Sequence, residues 1–245
     1  MSERDHIAVD RTAALLLGID TYNWTERDLP LIPETAVIGD RRASRMAALS
    51  AHSRDLRPHD ILVVDGVPTT TPLRTAMDLG CVLKRWQAFA AMNALAGGYD
   101  LDISAFVREL PRHRGRRGVR QLRSLVGHLT PEVESMRESR VLLAIIDAGL
   151  PAPLAQYPIT VASGEGFRVD FAYPHRRISV EYDGAEFHTA TDEQRRRDLR
   201  RRDLIRQSGW EQIVVTSADF RTQREGRWLR ELRGLLAEPT STRRW

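Results

Sequence analysis

The stretch Phe167–His188, FRVDFAYPHRRISVEYDGAEFH, constrains the fold more than any other part of the chain. Phe167, Val169 and Phe171 alternate with Arg168 and Asp170. Ile178, Val180 and Tyr182 alternate with Ser179, Glu181 and Asp183. A period of two belongs to a strand, whose successive side chains leave opposite faces. The pattern predicts two paired strands with a turn at Pro174, a residue that has no N–H to give to a central ladder. Gly184 ends the second strand. With the apolar sets turned to a core, Asp170, Glu181 and Asp183 share the other, exposed face. Carboxylates crowded on one face repel each other unless a cation sits among them.

The flanking sequence supplies the rest of an α/β unit. Thr130-Pro131 reads as a helix start with proline at the first helical position. That helix is expected to run to Ala148 and stop at Gly149, with Leu142, Ile145 and Ile146 as its apolar stripe and Glu138 one turn earlier. Thr191-Asp192-Glu193-Gln194 is a capping-box pattern opening a helix that ends at Gly209. Trp210–Thr216 reads as a third strand, and a last helix covers 218–237. A strand, a crossover helix and a strand predict a mixed sheet with at least one parallel pair. The order α-β-β-α-β-α fits a compact α/β core over residues 129–245.

Residues 1–128 form a separate, mainly helical α+β region. It holds a short apolar helix (Thr12–Leu17), a strand (Ile61–Val64), a turn at Asp65-Gly66, and helices at Thr75–Leu83 and Trp86–Ala96. Gly97-Gly98 marks the end of the last helix. Pro111–Arg123, PRHRGRRGVRQLR, carries six arginines and no acid; it is a basic linker or the start of another helix.

At 42% hydrophobic and 29% charged, the 245 residues can bury a sizeable core. No apolar run approaches the ~18 residues of a membrane span, and MSERDHIAVD lacks the apolar core of a signal peptide. A cytoplasmic protein that does not enter the membrane is expected. The single cysteine, Cys81, excludes an internal disulfide and a zinc cluster; in apolar MDLGCVL it reads as a buried, inert thiol.

The net charge is +4, and all but one of the basic residues are arginine, Lys84 being the exception. Between Arg195 and Arg206 lie seven arginines and two aspartates. Part of this helix reads as a solvated face, with Asp198 reaching Arg202 at helical spacing. Leu199 and Ile205 form a thin apolar stripe. The remaining arginines, Arg195, Arg196, Arg197, Arg200 and Arg201, are candidate contacts to the phosphates of DNA, a forked geometry arginine suits. Few aromatics argue against a stacking platform for single strands, so duplex DNA is the expected substrate. An acidic face beside an arginine helix suggests phosphodiester hydrolysis assisted by Mg²⁺ or Mn²⁺, which prefer oxygen ligands. Asp170 and Glu181 are the expected metal ligands, with Glu138 completing the site if its helix packs against the strand pair.

The sequence from Ser135 to Phe220 resembles the Vsr-like branch of the PD-(D/E)XK nucleases, which includes the very-short-patch mismatch-repair endonucleases and many actinobacterial chains. The matching pieces are Ser135-x-x-Glu138-Ser139-Arg140, AGLPAP at 148–153, Arg168-Val169-Asp170-Phe171, Val180-Glu181-Tyr182-Asp183-Gly184, Phe187-His188, Asp198 with its arginines, and Ser208-Gly209-Trp210. The resemblance implies a restriction-endonuclease-like mixed sheet flanked by helices. It makes Asp170 and Glu181 the metal-binding acids and Glu138 the helix-borne acid. The wider superfamily carries a lysine two residues after the second acid; here Asp183 stands there. His188 matches a histidine of the mismatch-repair relatives and is implied as a general base or water-orienting group, with Asp183 open to binding a second cation.

Asp65–Gly80, DGVPTTTPLRTAMDLG, resembles a segment of AbiEi-type antitoxins that follows a DNA-binding winged helix. The segment lies too near the start of the chain for a winged helix before it, so a packing or partner-binding region is expected, with a second copy or an unknown protein as partner. Two functions follow. The first is a metal-dependent endodeoxyribonuclease of repair, restriction or phage defence. The alternative is a non-catalytic DNA-binding regulator of toxin–antitoxin type built on an inactive nuclease fold.

Overall fold

A computed structural model describes residues 6–22, 26, 30–38, 50–184, 191–220 and 226–237. The chain divides into two compact units, Met1–Met136 and Arg137–Trp245. Among the described residues no helix is long and apolar enough to cross a membrane.

Unit 1 contains a five-stranded sheet in the order β3-β2-β1-β5-β4. Its strands are β1 (Ile7–Ala8), β2 (Glu34–Ile38), β3 (Ser50–Arg54), β4 (Ile61–Val64) and β5 (Val67–Thr70). β4 and β5 form a hairpin through Asp65-Gly66, both at positive φ (46° and 81°). That is the backbone of a tight turn whose twist matches the strands it joins. The helices are α1 (Asp10–Leu16), α2 (Pro72–Val82), α3 (Arg85–Gly98), α4 (Ile103–Glu109) and α5 (Val119–Val126). Thr71 caps α2 through its side chain and Pro72 opens it. Met77, Leu79, Phe89, Met92, Leu95, Phe106, Leu122 and Leu125 are fully buried and make the helical core. Only β4 was expected in this sheet; the other strands are short or polar and carry no clear alternation.

A buried ion network explains the Asp65–Gly80 motif. Asp78, wholly withdrawn from solvent, accepts from Arg54 (2.7 Å), Arg74 (3.0 Å) and Arg116, and lies 3.3 Å from His113 Nε2. Asp60 accepts from Arg74 (3.1 Å) and Arg112 (2.6 Å). Asp10 pairs with Arg54. Burial alone would raise these acids. For Asp60 the bonds from Arg112 and the Arg57 N–H, with the charges of Arg74 and Arg112, outweigh it and bring its pKa down to about 2. For Asp78, His113 and the three arginines hold the carboxyl well below the usual range. Arg112 and Arg116 thus turn inward, and the Pro111–Arg123 segment is no linker: it makes a 3₁₀ turn (Leu110–His113) and then α5. Cys81 is half-buried, and burial pushes its thiol up, keeping it protonated.

Unit 2 runs α6 (Met136–Asp147), β6 (Leu154–Thr160), β7 (Gly166–Tyr173), β8 (Ile178–Asp183), α7 (Asp192–Gln207), β9 (Glu211–Thr216) and α8 (Arg227–Ala237). The sheet order is β6-β7-β8-β9. β6, β7 and β8 are antiparallel neighbours, and β9 joins β8 in parallel after the α7 crossover, with Val180 opposite Ile213. The mixed α/β class and the parallel pair agree with the sequence reading. Leu142, Ile145, Phe171, Ile178 and Val180 are buried, as is Ile205 of α7 beside Val169 and Ala172.

Two expected helix boundaries move, and one strand is new. α6 begins at Met136 rather than Thr130: the Val133 N–H closes a turn onto the Thr130 carbonyl, and the Thr130 N–H donates to the buried Asn93 side chain (2.9 Å). The last helix begins at Arg227. Ser217–Phe220 instead form a 3₁₀ turn that Asp219 fixes by accepting from the Thr216 N–H and hydroxyl, both at 2.9 Å. β6 was not expected. It is an edge strand, which accommodates Pro158.

Candidate functional site

The pairing of β7 with β8 sets Phe171 opposite Val180, so the next residues in the ladder are Asp170 and Glu181. Asp170 Oδ2 accepts the Tyr182 backbone N–H at 2.7 Å. Glu138, in the first turn of α6, belongs to the same neighbourhood. Burial pushes the Asp170 carboxyl up to about 6; the charges of Glu138 and Glu181 add to the rise, while the Tyr182 N–H and Arg201 oppose it. Glu138 and Glu181, two of the acids expected to converge, are therefore near enough to act on Asp170.

A fourth side chain joins them from the unexpected strand. Gln156 Nε2 donates to Glu138 Oε2 at 2.9 Å. Ala155 faces Phe171 and Tyr157 faces Val169, which puts Gln156 across from Asp170. It does so with φ at +50°, a left-handed conformation that a non-glycine residue rarely adopts inside a strand. Nothing in AGLPAPLAQYPITV signals this. Three prolines interrupt the run, and a lone glutamine has no period.

The acidic face is covered rather than exposed. Glu181 is only 8% exposed, because α7 lies over it. Arg201 donates to both Glu181 oxygens, one at 3.0 Å, and to the Arg168 carbonyl at 2.7 Å. Arg202 donates to Asp183 at 2.7 Å. Arg202 therefore does not make the expected pair with Asp198, and Asp183 is tied to an arginine. Arg201, expected among the phosphate contacts, grips a carboxylate. Arg195, Arg196, Arg197 and Arg200 are exposed on α7; Arg197 pairs with Glu193, and Arg200 reaches Glu165 at 3.4 Å. Leu199 is 60% exposed, so the apolar stripe reduces to Ile205, with Leu204 partly buried beside it. His188 lies outside the described residues.

Among the described residues no group of three or more His, Cys, Asp or Glu side chains is arranged to hold a metal ion. The donors do fit a leaner site. Mg²⁺ commonly takes one or two carboxylates and fills its other positions with water and substrate phosphate. Asp170 and Glu181 are hard oxygen donors from adjacent strands, and both Glu181 oxygens are occupied by the Arg201 guanidinium.

Two uncharacterized proteins of Mycobacterium tuberculosis, MT2308 of strain CDC 1551 and Rv2248 of strain H37Rv, are each 34% identical to the chain over 214 residues. The match covers 86% of this chain and 74% of each relative. The chain belongs to their family. An alignment of 214 residues is longer than either unit, Met1–Met136 or Arg137–Trp245, so members of this mycobacterial family share sequence across both. No family model matches the chain, and no solved structure matches it.

Proposed function

We propose that the chain is a Mg²⁺- or Mn²⁺-dependent endonuclease acting on duplex DNA, with unit 2 as a restriction-endonuclease-like domain of Vsr-like type. The observation that carries this reading is the nearness of Glu138 and Glu181 to the buried Asp170 carboxyl, from one helix and two adjacent strands. The order α6-β6-β7-β8-α7-β9 in a mixed sheet is compatible with that core. Asp170 and Glu181 would hold the metal, and Glu138 would stand beside it. When bound, the ion polarises the phosphoryl oxygen and acidifies water. The chain's own groups prepare the place: the Tyr182 N–H orients Asp170, Gln156 orients Glu138, and exposed arginines of α7 contact the phosphate backbone. For the metal to reach Glu181, Arg201 must leave it, and an incoming phosphate is the natural competitor for that guanidinium.

The grip of Arg201 on Glu181 and of Arg202 on Asp183 favours a second reading, a DNA clamp whose acids serve only to anchor α7. Calorimetric titration with Mg²⁺ or Mn²⁺ in the presence of a short duplex, followed by plasmid nicking, separates the two. The nuclease reading expects metal uptake and nicking, both lost in Asp170→Ala/Glu181→Ala, and uptake without DNA in Arg201→Ala. No uptake by the wild type with DNA, and equal inertness of wild type and double variant, would leave only the clamp.

A further inference from the structure

The buried network of unit 1 consumes two arginines of the Pro111–Arg123 segment and leaves the others outside. Arg112 is spent on Asp60 and Arg116 on Asp78. Arg114, Arg117, Arg120 and Arg123 are exposed, and none has an ion-pair partner among the described residues. Arg120 and Arg123 stand on the side of α5 away from the buried Leu122, Leu125 and Val126. Arg85 joins this surface, its guanidinium 3.3 Å from Ser124 Oγ. No acid occurs from Leu110 to Pro131 or from Leu79 to Tyr99, so both chain segments that build the surface lack counter-charges.

The surface is also held rigid. The 3₁₀ turn, the Arg116 N–H bonded to the His113 carbonyl and the Val119 N–H bonded to the Arg116 carbonyl fix the backbone between the arginines. Gly118 sits so close to the Cys81 carbonyl that a Cβ would lie 2.0 Å from its oxygen, and its φ is +83°. Gln121 clamps the same junction by donating to the carbonyls of Gly80 and Leu83, at 2.9 and 3.0 Å. Self-repulsion of like charges on a pinned backbone is a standing cost that a polyanion relieves.

We infer that Arg114, Arg117, Arg120 and Arg123 form a phosphate-contacting surface in unit 1 that takes the backbone of duplex DNA. Guanidinium forks suit phosphate oxygens, and a run of them on a fixed backbone without base-reading side chains gives affinity without sequence preference. The inference rests on the nuclease reading only for duplex DNA as the polyanion; its residues lie wholly outside the acidic site.

Fluorescence anisotropy of a labelled duplex, with the full chain in EDTA, tests it. Replacing the four arginines by glutamine is expected to weaken binding roughly 10- to 100-fold and to flatten the log Kd against log salt slope by about 3 to 4. Replacing them by lysine should keep most of the affinity, and thermal melting of both variants should match the wild type. An unchanged Kd and slope for the glutamine variant overturns the inference. So does a loss confined to phosphatidylserine vesicles with DNA binding intact, which would assign the surface to a membrane. Failure of the nuclease reading is seen separately, as wild-type protein that binds DNA through this surface and does not cut it.

Discussion

Asp78 in unit 1 and Asp170 in unit 2 are aspartates withdrawn from water within one chain, and their charges meet opposite fates. Asp78 is wholly enclosed, yet three arginines and His113 surround it and its carboxyl is held well below the usual range. Asp170 is less enclosed, but burial, reinforced by two acidic neighbours and opposed among the described residues by one backbone N–H and the charge of Arg201, pushes its carboxyl up to about 6. Burial enters both cases with the same sign; the number and charge of the neighbours decide the outcome. A saturated acid is a fastening. An acid left short of positive charge keeps an appetite for a cation, a trait of sites more than of scaffolds.

The sharpest way to break this contrast is to neutralise each acid in turn. Asp78→Asn should cost about 3–5 kcal/mol, since it strands buried guanidiniums without their counter-ion. Hydrogen exchange should report the loss across unit 1 with unit 2 protected. Acid should act in the same direction. Asp60 has a folded pKa of about 2, below the ~3.9 of an unfolded aspartate. Its contribution is complete above about pH 4 and disappears as the pH falls through 2. Urea unfolding at pH 7, 4 and 2 should show unit 1 weakening in that window. Asp170→Asn should change the melting temperature little or raise it, because the ionised form is the one burial disfavours, while metal uptake and nicking disappear. A destabilisation as large as that of Asp78→Asn would make Asp170 a fastening too. Smallest of all, Gln156→Gly should leave stability unchanged or raise it by up to about 1 kcal/mol by relieving a left-handed backbone. It should also reduce nicking, because Glu138 loses its 2.9 Å donor. A lower melting temperature with full activity would show that Gln156 serves the strand alone.

Where a residue obeys a period, the sequence announced its place. The alternation over 167–183 located β7, β8 and the shared face of Asp170 and Glu181, and Thr191 with Gln194 located the start of α7. Asp65-Gly66 located a turn, though not the second strand of the hairpin it closes. What stayed hidden depends on partners distant in the chain. Arg201 and Arg202 are two arginines in a row of arginines, and nothing local says that these two turn to Glu181 and Asp183 while Arg195–Arg197 face solvent. Arg112 and Arg116 likewise look like their neighbours until Asp60 and Asp78 are seen beneath them. Strand β6 was obscured by its prolines, and Gln156 with it.

Strand β6 closes one side of the unit 2 sheet, and its two irregular residues affect what can attach there. Pro158 has no N–H to give a further strand, and the left-handed backbone at Gln156 interrupts the regular ladder. An incoming strand from another molecule finds no continuous template along that margin. The geometry that holds Glu138 therefore also blunts this one edge of the sheet.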